Sequence, residues 1–403
     1  MEDDMWKSIN VDILKAHSYQ GIPLNYEEAY QLGCFFAEIS GRDLGKLSGE
    51  ELKNGIRELI QVFAAMCSLH NVGLYQYSRT DYDQQRHGHR LPMNAAEQVA
   101  GICAAIFKED IARSLNGFLK PDVAFAVGCC GMGGDLILTP NVSTLASFIA
   151  AAACIAMAKH GSPGNTVRTG SSDFIQDNCG INTMPSKDEA EGCLKKYNFC
   201  YIEAMDVRYK RIHLQTHLVV ELAHMNDIIG PITNPVDPQL VTRSLIGLNH
   251  LIPPKIVAEA YQIMNAKGVT NLQHGLFVRG FADEHRYEGM DEVSICPGGT
   301  HVAELKDGEI REYDLYAEDF GLESVPVESI VPEGNKGEFS LGILKGEIDG
   351  PPLQMVLANA ALLFYLAGKS QDLKECYRMA KETHRSGSPY QTMLAVREMI
   401  PKE

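Results

Sequence analysis

A glycine-dense turn between an apolar run and a helix constrains this chain more than any other feature. The run DVAFAVG (122–128) is short and apolar, with the length of a buried strand. Gly131-Met-Gly-Gly-Asp135 follows it, and a helix is expected from about Ser143. Glycines let the backbone approach an anion closely, and a helix N-terminus adds N–H donors and partial positive charge. The turn lacks the Gly-Lys-Ser/Thr ending of a Walker loop and the three-glycine spacing of a dinucleotide fingerprint. Taken alone, it reads equally well as a tight connection between strand and helix.

The surrounding pattern selects a fold class. Strand-like runs at 155–158, 199–204 and Val293-Ser-Ile295 are interleaved with helices, one capped by Ser186-x-x-Glu189 and one opened by Pro253-Pro254. Such alternation predicts an α/β domain with a mostly parallel central sheet. The first hundred residues differ. Asn25-Tyr-Glu-Glu28 opens an amphipathic helix to about Ser40, Ser48-Gly-Glu-Glu51 one to about Leu69, and Asn94-Ala-Ala-Glu97 one to about Ser114. The chain thus divides into a small N-terminal helical domain, 1–115, and a large α/β domain, 116–403, with a segment near 208–230 expected beside the helical one. The polar stretch 74–92 reads as an inserted loop. Val302 to Tyr313 reads as a hairpin turning at Asp307-Gly308, and helices at 353–367, 372–382 and 390–399 end the chain.

Charge and composition exclude several function classes. Of 403 residues, 36 are Lys or Arg and 52 are Asp or Glu, a net charge of −16. Sequence-independent binding to nucleic acid is not expected of such a chain, although one local basic anion pocket is compatible with it. The 11 cysteines are odd in number, and MEDDMWKSINVD carries no apolar leader, so reduced thiols and a cytoplasmic location are expected. No CxxC pair suggests structural zinc. The uncharged stretch 139–158 is apolar only after Thr144 and too rich in alanine for a membrane span.

Four further clusters carry chemistry. Asn141-Val-Ser143-Thr144 offers an amide and two hydroxyls at a helix start, where Ser143 or Thr144 would also serve as N-cap. Lys159-His160-Gly161 ends a strand, and open α/β sheets bind ligands at the carboxyl ends of their strands. Lys159 suits a phosphate there, while His160 either joins the chemistry or shapes the pocket. A second small-residue turn, Arg168-Thr-Gly-Ser171-Ser-Asp173, offers an arginine and hydroxyls to a second phosphate. Gly289-Met-Asp291-Glu292 sets two carboxylates side by side, which suits Mg²⁺ next to an anion. With Glu284 and Glu288 nearby, the same pair also reads as a solvated acidic loop.

In the order GxGGD, NxST, KHG, a glycine-serine turn ending in Asp, Gly230-Pro-Ile-Thr-Asn-Pro235 and GxDE, the chain resembles the anthranilate phosphoribosyltransferases and the wider glycosyltransferase family 3. Val302-Ala-Glu-Leu-Lys-Asp-Gly-Glu309, Glu318-Asp-Phe-Gly321 and Asn359-Ala-Ala361 add to the resemblance, which runs from about Asp122 to Gly368. It implies a homodimer formed through the helical parts. It also implies transfer of a phosphoribosyl group from phosphoribosyl pyrophosphate (PRPP), with Mg²⁺, to the nitrogen of a small aromatic or heterocyclic acceptor. Gly131, Gly133, Gly134 and Asp135 would then cradle the donor. Asn141, Ser143 and Thr144 would contact its phosphates, with Ser143 also near one Mg²⁺. Lys159 would bind pyrophosphate, and Asp291 and Glu292 would hold Mg²⁺.

The chain departs from the family on the acceptor side. Ser162-Pro163 follow KHG in place of Asn-Arg, and Val167 stands among positions that the family fills with small or hydroxylated residues. His217 falls where the family has a carboxylate-binding arginine, and Val207-Arg208 where it has His-Pro. Either Arg208, Arg211 or His217, with Ser162, rebuilds the acceptor site, or the acceptor is not anthranilate. A solvated helix face is the third reading of the basic run 206–217. About ten extra residues near 279–288, like the loop 74–92, would cover the acceptor or alter the dimer. Cys129-Cys130 beside the donor turn would expose it to oxidation. Two competing functions remain: a pyrimidine nucleoside phosphorylase-like enzyme, which needs no paired acids for Mg²⁺, and a non-catalytic nucleic-acid-binding relative, which the charge opposes.

Overall fold

The buried runs and helices resolve, in the computed structural model of the chain, into one eight-stranded sheet and two sets of helices. The structure describes residues 24–69, 95–135, 137–164, 170–212, 224–249 and 252–402. The loop 74–92, Arg168 and His217 lie outside them. The strands are β1 (Ala126–Gly131), β2 (Met157–Gly161), β3 (Phe199–Glu203), β4 (Val241–Gly247), β5 (His274–Phe281), β6 (Gly289–Met290), β7 (Thr300–Lys306) and β8 (Glu309–Leu315). Their order is β3-β2-β1-β4-β5-β7-β8, with β6 paired to β5. The five strands from β3 to β5 run parallel, and β6, β7 and β8 are antiparallel additions. Helices of seven or more residues are α1 (Tyr26–Ser40), α2 (Gly49–Leu69), α3 (Ala95–Ala105), α4 (Val142–Ala152), α5 (Lys187–Tyr197), α6 (Asn226–Ile232), α7 (Pro254–Ala266), α8 (Lys336–Lys345), α9 (Pro351–Leu366), α10 (Leu373–Arg385) and α11 (Ser388–Met399).

Local chemistry explains most of these boundaries. Asn25 Oδ1 accepts from the Glu28 N–H at 3.0 Å, and Glu28 Oε2 accepts from the Asn25 N–H at 3.0 Å, a reciprocal cap on α1. Ser186 and Glu189 start α5 in the same way. The Asp307-Gly308 turn joins β7 to β8 with both residues at positive φ, 51° and 86°, as a twisted hairpin requires. Strand β1 begins later than the run DVAFAVG suggests. Val123 N–H turns back to the Pro121 carbonyl, and the first ladder bond is Ala126 N–H to the Leu240 carbonyl at 2.8 Å. The strand instead continues through Cys129-Cys130-Gly131, and β2 starts at Met157, later than the run 155–158, and ends at Gly161, with Lys159-His160-Gly161 closing it as expected. Val293-Ser-Ile295 is not a strand. Its backbone groups bond to side chains: Val293 N–H to Asn359 Oδ1 at 3.0 Å and Ser294 N–H to Thr300 Oγ1 at 2.8 Å.

Packing divides the chain into two units. The described residues of one fall within Met1–Phe118, Met205–Pro235 and Leu251–Thr270. There α1 and α7 pack on α3, which is buried almost all round. The other unit, Leu119–Ala204, Val236–His250 and Asn271–Glu403, holds the whole sheet. Helices α4 and α9 pack together in its core, with α10 and α11 beside them. No helix among the described residues is long and apolar enough to cross a membrane.

Candidate functional site

Strands β1 and β4 end side by side, with Gly131 registered on Gly247. Both glycines admit the segment 289–292. A Cβ on Gly131 would strike the Asp291 carboxylate, and one on Gly247 would strike the Asp291 carbonyl oxygen. The chain then turns at Gly133 and Gly134, each with φ of 77°, a conformation that favours glycine. Two hydrogen bonds knit the turn to the distant acids, and two more brace the turn and the acids from either side. The Gly133 N–H donates to Asp291 Oδ2 at 2.6 Å, and the Asp291 N–H donates to Asp135 Oδ1 at 2.8 Å. Asn249 Nδ2 donates to the Gly133 carbonyl at 3.1 Å, and Thr139 Oγ1 donates to Glu292 Oε1 at 3.2 Å.

This geometry gathers three carboxylates. One oxygen each from Asp135, Asp291 and Glu292 lie within 4.8 Å of one another. Asp291 and Glu292 are only 7% exposed, so they are not a solvated acidic loop. Burial, and then the charge of Asp291, push the Asp135 and Glu292 carboxyls well above the usual carboxylate range. Lys336 and the Thr139 hydroxyl pull Glu292 the other way, but by less. Buried acids that repel one another in this manner fit a hard divalent cation, whose charge would relieve both burial and repulsion.

Several other residues singled out by sequence lie on β2, on the start of α4 and on the turn at 170–173. Lys159, in β2, is 1% exposed. Its Nζ donates to the His160 carbonyl at 2.7 Å and lies 5.7 Å from the Tyr201 ring, and no carboxylate pairs with it among the described residues. His160 is also buried. Asn141, rather than Ser143 or Thr144, is the N-cap of α4, and its side chain makes no capping bond. It is held elsewhere: Nδ2 donates to the Gly170 carbonyl at 3.3 Å, and Oδ1 accepts from Ser340 Oγ at 3.1 Å. Ser143 and Thr144 occupy the first turn of α4, and the buried Thr144 hydroxyl has no hydrogen-bond partner among the described residues. Ser171 opens a helical turn closed by Asp173, whose Oδ2 accepts from the N–H groups of Gly164 and Gly170, both at 2.8 Å. The Ser162 carbonyl is tied to that turn through the Ser172 N–H at 3.2 Å.

The basic run is organised differently from its sequence reading. Arg208 lies in the helical unit, and its Nε donates to both oxygens of the buried Asp206, at 2.8 and 3.0 Å. Arg211 Nε donates to Asp110 Oδ1 at 2.9 Å, and Asp110 is fully buried. Lys210 is buried as well, with Nζ on the Thr233 carbonyl at 2.9 Å. The described part, 206–212, is a chain of turns and not a solvated helix face. The insertion near 279–288 extends β5 and is pinned down by Arg286, whose Nη2 meets Asp314 at 2.9 Å and whose Nε donates to the Gly298 carbonyl at 3.1 Å. All eleven cysteines are free. Cys129 and Cys130 are buried, and burial pushes the Cys129 thiol up to about 11, which opposes easy oxidation.

Sequence reasoning missed Gly247, Thr139, Asn249 and Ser340. Gly247 ends its strand in a glycine just as Gly131 does, which is the one signal that could have exposed it. Asn359 had a motif but no role. It accepts from the Val293 N–H and donates to the Val293 carbonyl at 3.1 Å, fixing the residue after Glu292.

The chain is similar to known proteins over most of its length. Residues 124–390 match the profile of the glycosyl transferase family α/β domain. It is 34% identical to the anthranilate phosphoribosyltransferase of Aeromonas salmonicida over 282 residues, covering 69% of this chain and 76% of that protein. It is 35% identical to that of Vibrio parahaemolyticus over 301 residues, covering 73% and 82%. Its fold matches anthranilate phosphoribosyltransferase of Thermus thermophilus with a TM-score of 0.70 at 24% identity, over 96% of this chain and 99% of that one. The yeast enzyme solved in complex with PRPP and Mg matches with the same TM-score of 0.70 at 18% identity, over 98% of both chains. The family match over residues 124–390 and the relatives above 30% identity across more than two thirds of the chain have one consequence: this chain belongs to glycosyltransferase family 3, as an enzyme of the anthranilate phosphoribosyltransferase type.

Proposed function

We propose that the chain transfers the phosphoribosyl group of PRPP to the nitrogen of a small aromatic amine, releasing pyrophosphate. The observation that carries this reading is the union of the glycine turn with the acid cluster, through the Gly133–Asp291 and Asp291–Asp135 hydrogen bonds. The names of its relatives, and the PRPP and Mg in the yeast structure, support it. Asp135, Asp291 and Glu292, with Ser143 nearby in sequence order of the motif, are the proposed holders of Mg²⁺. Bound there, Mg²⁺ supplies charge neutralisation for the pyrophosphate.

The remaining roles fall to the chain itself. Gly131, Gly133 and Gly134 leave room for the donor to approach the backbone. Asn141, Ser143, the unpartnered hydroxyl of Thr144, and Ser171 offer hydrogen bonds to its phosphates. Lys159 is a buried lysine that no carboxylate pairs with among the described residues, an arrangement that an anion completes. As the anomeric carbon–oxygen bond breaks, these donors face a growing negative charge, while the ribose becomes cationic and is attacked by the amine. His160 shapes the wall beside Lys159. A neutral amine needs no strong base, since its proton can leave late.

Both candidate arginines are already spent on buried carboxylates, which favours an acceptor that is not read by an arginine fork. Exposed Ile56 and Ile60, at 44% and 62% on successive turns of α2, support self-association through the helical unit as a homodimer. Free thiols throughout support a cytoplasmic enzyme. The test is pyrophosphate release from PRPP and Mg²⁺ with anthranilate, then with a panel of aromatic and heterocyclic amines. Release with at least one amine is expected, and no release with any, together with no PRPP binding, would sink the reading. Turnover with anthranilate would assign the chain to tryptophan synthesis.

A further inference from the structure

We infer that the C-terminal helices form a second binding pocket, separate from the strand-end site, for a small organic anion with an apolar body. The pocket, about 740 Å³, lies between the N-terminal end of α9, the end of α8 and one face of α10. That volume suits a small organic ligand. Its charged side is cationic. Lys381 and Arg385, one turn apart on α10, and Lys345 line it, against one acid, Asp349. Neither Lys381 nor Arg385 makes an ion pair among the described residues, while Lys345 reaches Glu347 only at 3.8 Å in the open. The start of α9 adds partial positive charge on the same side. The apolar side is supplied by Leu353 and Leu357, which share a face of α9.

An independent observation points to an occupant. Tyr377, which lines the same pocket, is 6% exposed, and its buried hydroxyl has no hydrogen-bond partner among the described residues. A buried polar group is seldom left unsatisfied, because it has lost its hydrogen bonds to water without replacement. The charges of Asp349 and Arg385 act on this hydroxyl in opposite directions, and burial keeps it protonated, up to about 12. It is therefore a hydrogen-bond donor among the pocket's charges. An anionic head at Lys381, Arg385 and Tyr377, with its body on Leu353 and Leu357, satisfies all of them at once.

The position gives the pocket a route to the strand ends. From Leu353, α9 runs six residues, about 9 Å, to Asn359, which clamps the backbone of Val293 beside Glu292. Helix α8, which contributes Lys345, also carries Ser340, whose Oγ accepts from the Asn141 N–H at 2.9 Å. A ligand seated between the end of α8 and the start of α9 thus lies on the two helices that carry the clamps of the turn and acids.

Phenyl phosphate is the probe, measured by titration calorimetry on the full chain without PRPP. Saturable binding is expected. Lys381→Ala with Arg385→Ala should weaken it at least about tenfold, and Tyr377→Phe several-fold, with circular dichroism unchanged. Asp291→Asn with Glu292→Gln should leave it at the wild-type affinity, which separates this site from the donor site whatever the donor proves to be. Inorganic phosphate should bind more weakly than phenyl phosphate, for lack of the apolar contacts. No saturable binding at millimolar probe, loss in the acid variant rather than the pocket variants, or equal affinity for inorganic phosphate would each overturn the inference.

Discussion

Gly247→Ala tests the claim that close approach of two backbones builds the site. Only a methyl group is added, yet it would occupy the space of the Asp291 carbonyl oxygen. Nonbonded atoms need about 3.5 Å, so Asp291 must retreat on the order of 2 Å. Its neighbours cannot follow freely, because Asp291 is bonded to Gly133 and Asp135 and Asn359 clamps Val293. A misplacement of about 1 Å in a positioned group is enough to cost about 100-fold in rate. We expect kcat/KM for pyrophosphate release to fall by at least that factor, about 2.7 kcal/mol, and the thermal shift on adding Mg²⁺ to vanish. The overpacked strand end should lower stability by about 1–3 kcal/mol without unfolding the sheet. Gly268→Ala is the control. It has a positive φ of 66° and nothing near its Cβ position, so it should lose stability but not activity. A Gly247→Ala enzyme within threefold of wild type, still stabilised by Mg²⁺, would refute the reasoning.

Further expectations follow from the same geometry. Glu292 and Asp135 have folded pKa values above their unfolded ones, so the folded state binds more protons and stability falls as pH rises from the ordinary carboxylate range through the raised values. Denaturant midpoints of the metal-free protein should show that fall, Glu292→Gln or added Mg²⁺ should flatten it, and a flat wild-type profile would contradict it. Lys159→Ala should raise the dissociation constant for PRPP more than that for the acceptor in titration calorimetry, by about tenfold or more for one lost charged contact. Asn359→Ala should leave the Val293 N–H and carbonyl unsatisfied, costing about 1–3 kcal/mol by chemical denaturation and weakening the Mg²⁺ response. Arg208→Ala should leave the acceptor KM unchanged while destabilising the protein by about 3 kcal/mol, since Asp206 would stay buried without its partner.

What could be read in the sequence was what local chemistry controls. Caps such as Asn25 and Ser186, the Asp307-Gly308 turn and the glycine turn at 131–135 each contain their own instructions within four or five residues. Boundaries set by distant partners were less legible. The start of β1 depends on where Leu240 offers its carbonyl, and Val293-Ser-Ile295 fails to be a strand because Asn359 and Thr300 take its hydrogen bonds. Pro253-Pro254 announced α7 but not the unit it joins. In the candidate site, residue types that declare their chemistry, Lys159, Asp291 and Glu292, could be singled out from sequence. Gly247 was not, because its role is to have no side chain where another segment passes. The basic run 206–212 misled for the opposite reason: its charges looked available, and only the fold reveals Asp206 and Asp110 beneath them.

The crossing of 289–292 over the ends of β1 and β4 also orders events in time. The bonds joining the acids to the glycine turn span 156 and 158 residues of chain. Contacts of such separation close late, after the loop entropy between them has been overcome by strand pairing. A nascent chain shorter than 291 residues holds the glycine turn without the Asp291-Glu292 pair. Half-made chains therefore carry the glycine turn with the Gly133 N–H and Asp135 not yet bonded to Asp291, and the three-carboxylate cluster exists only once the segment beyond β5 has crossed the strand ends.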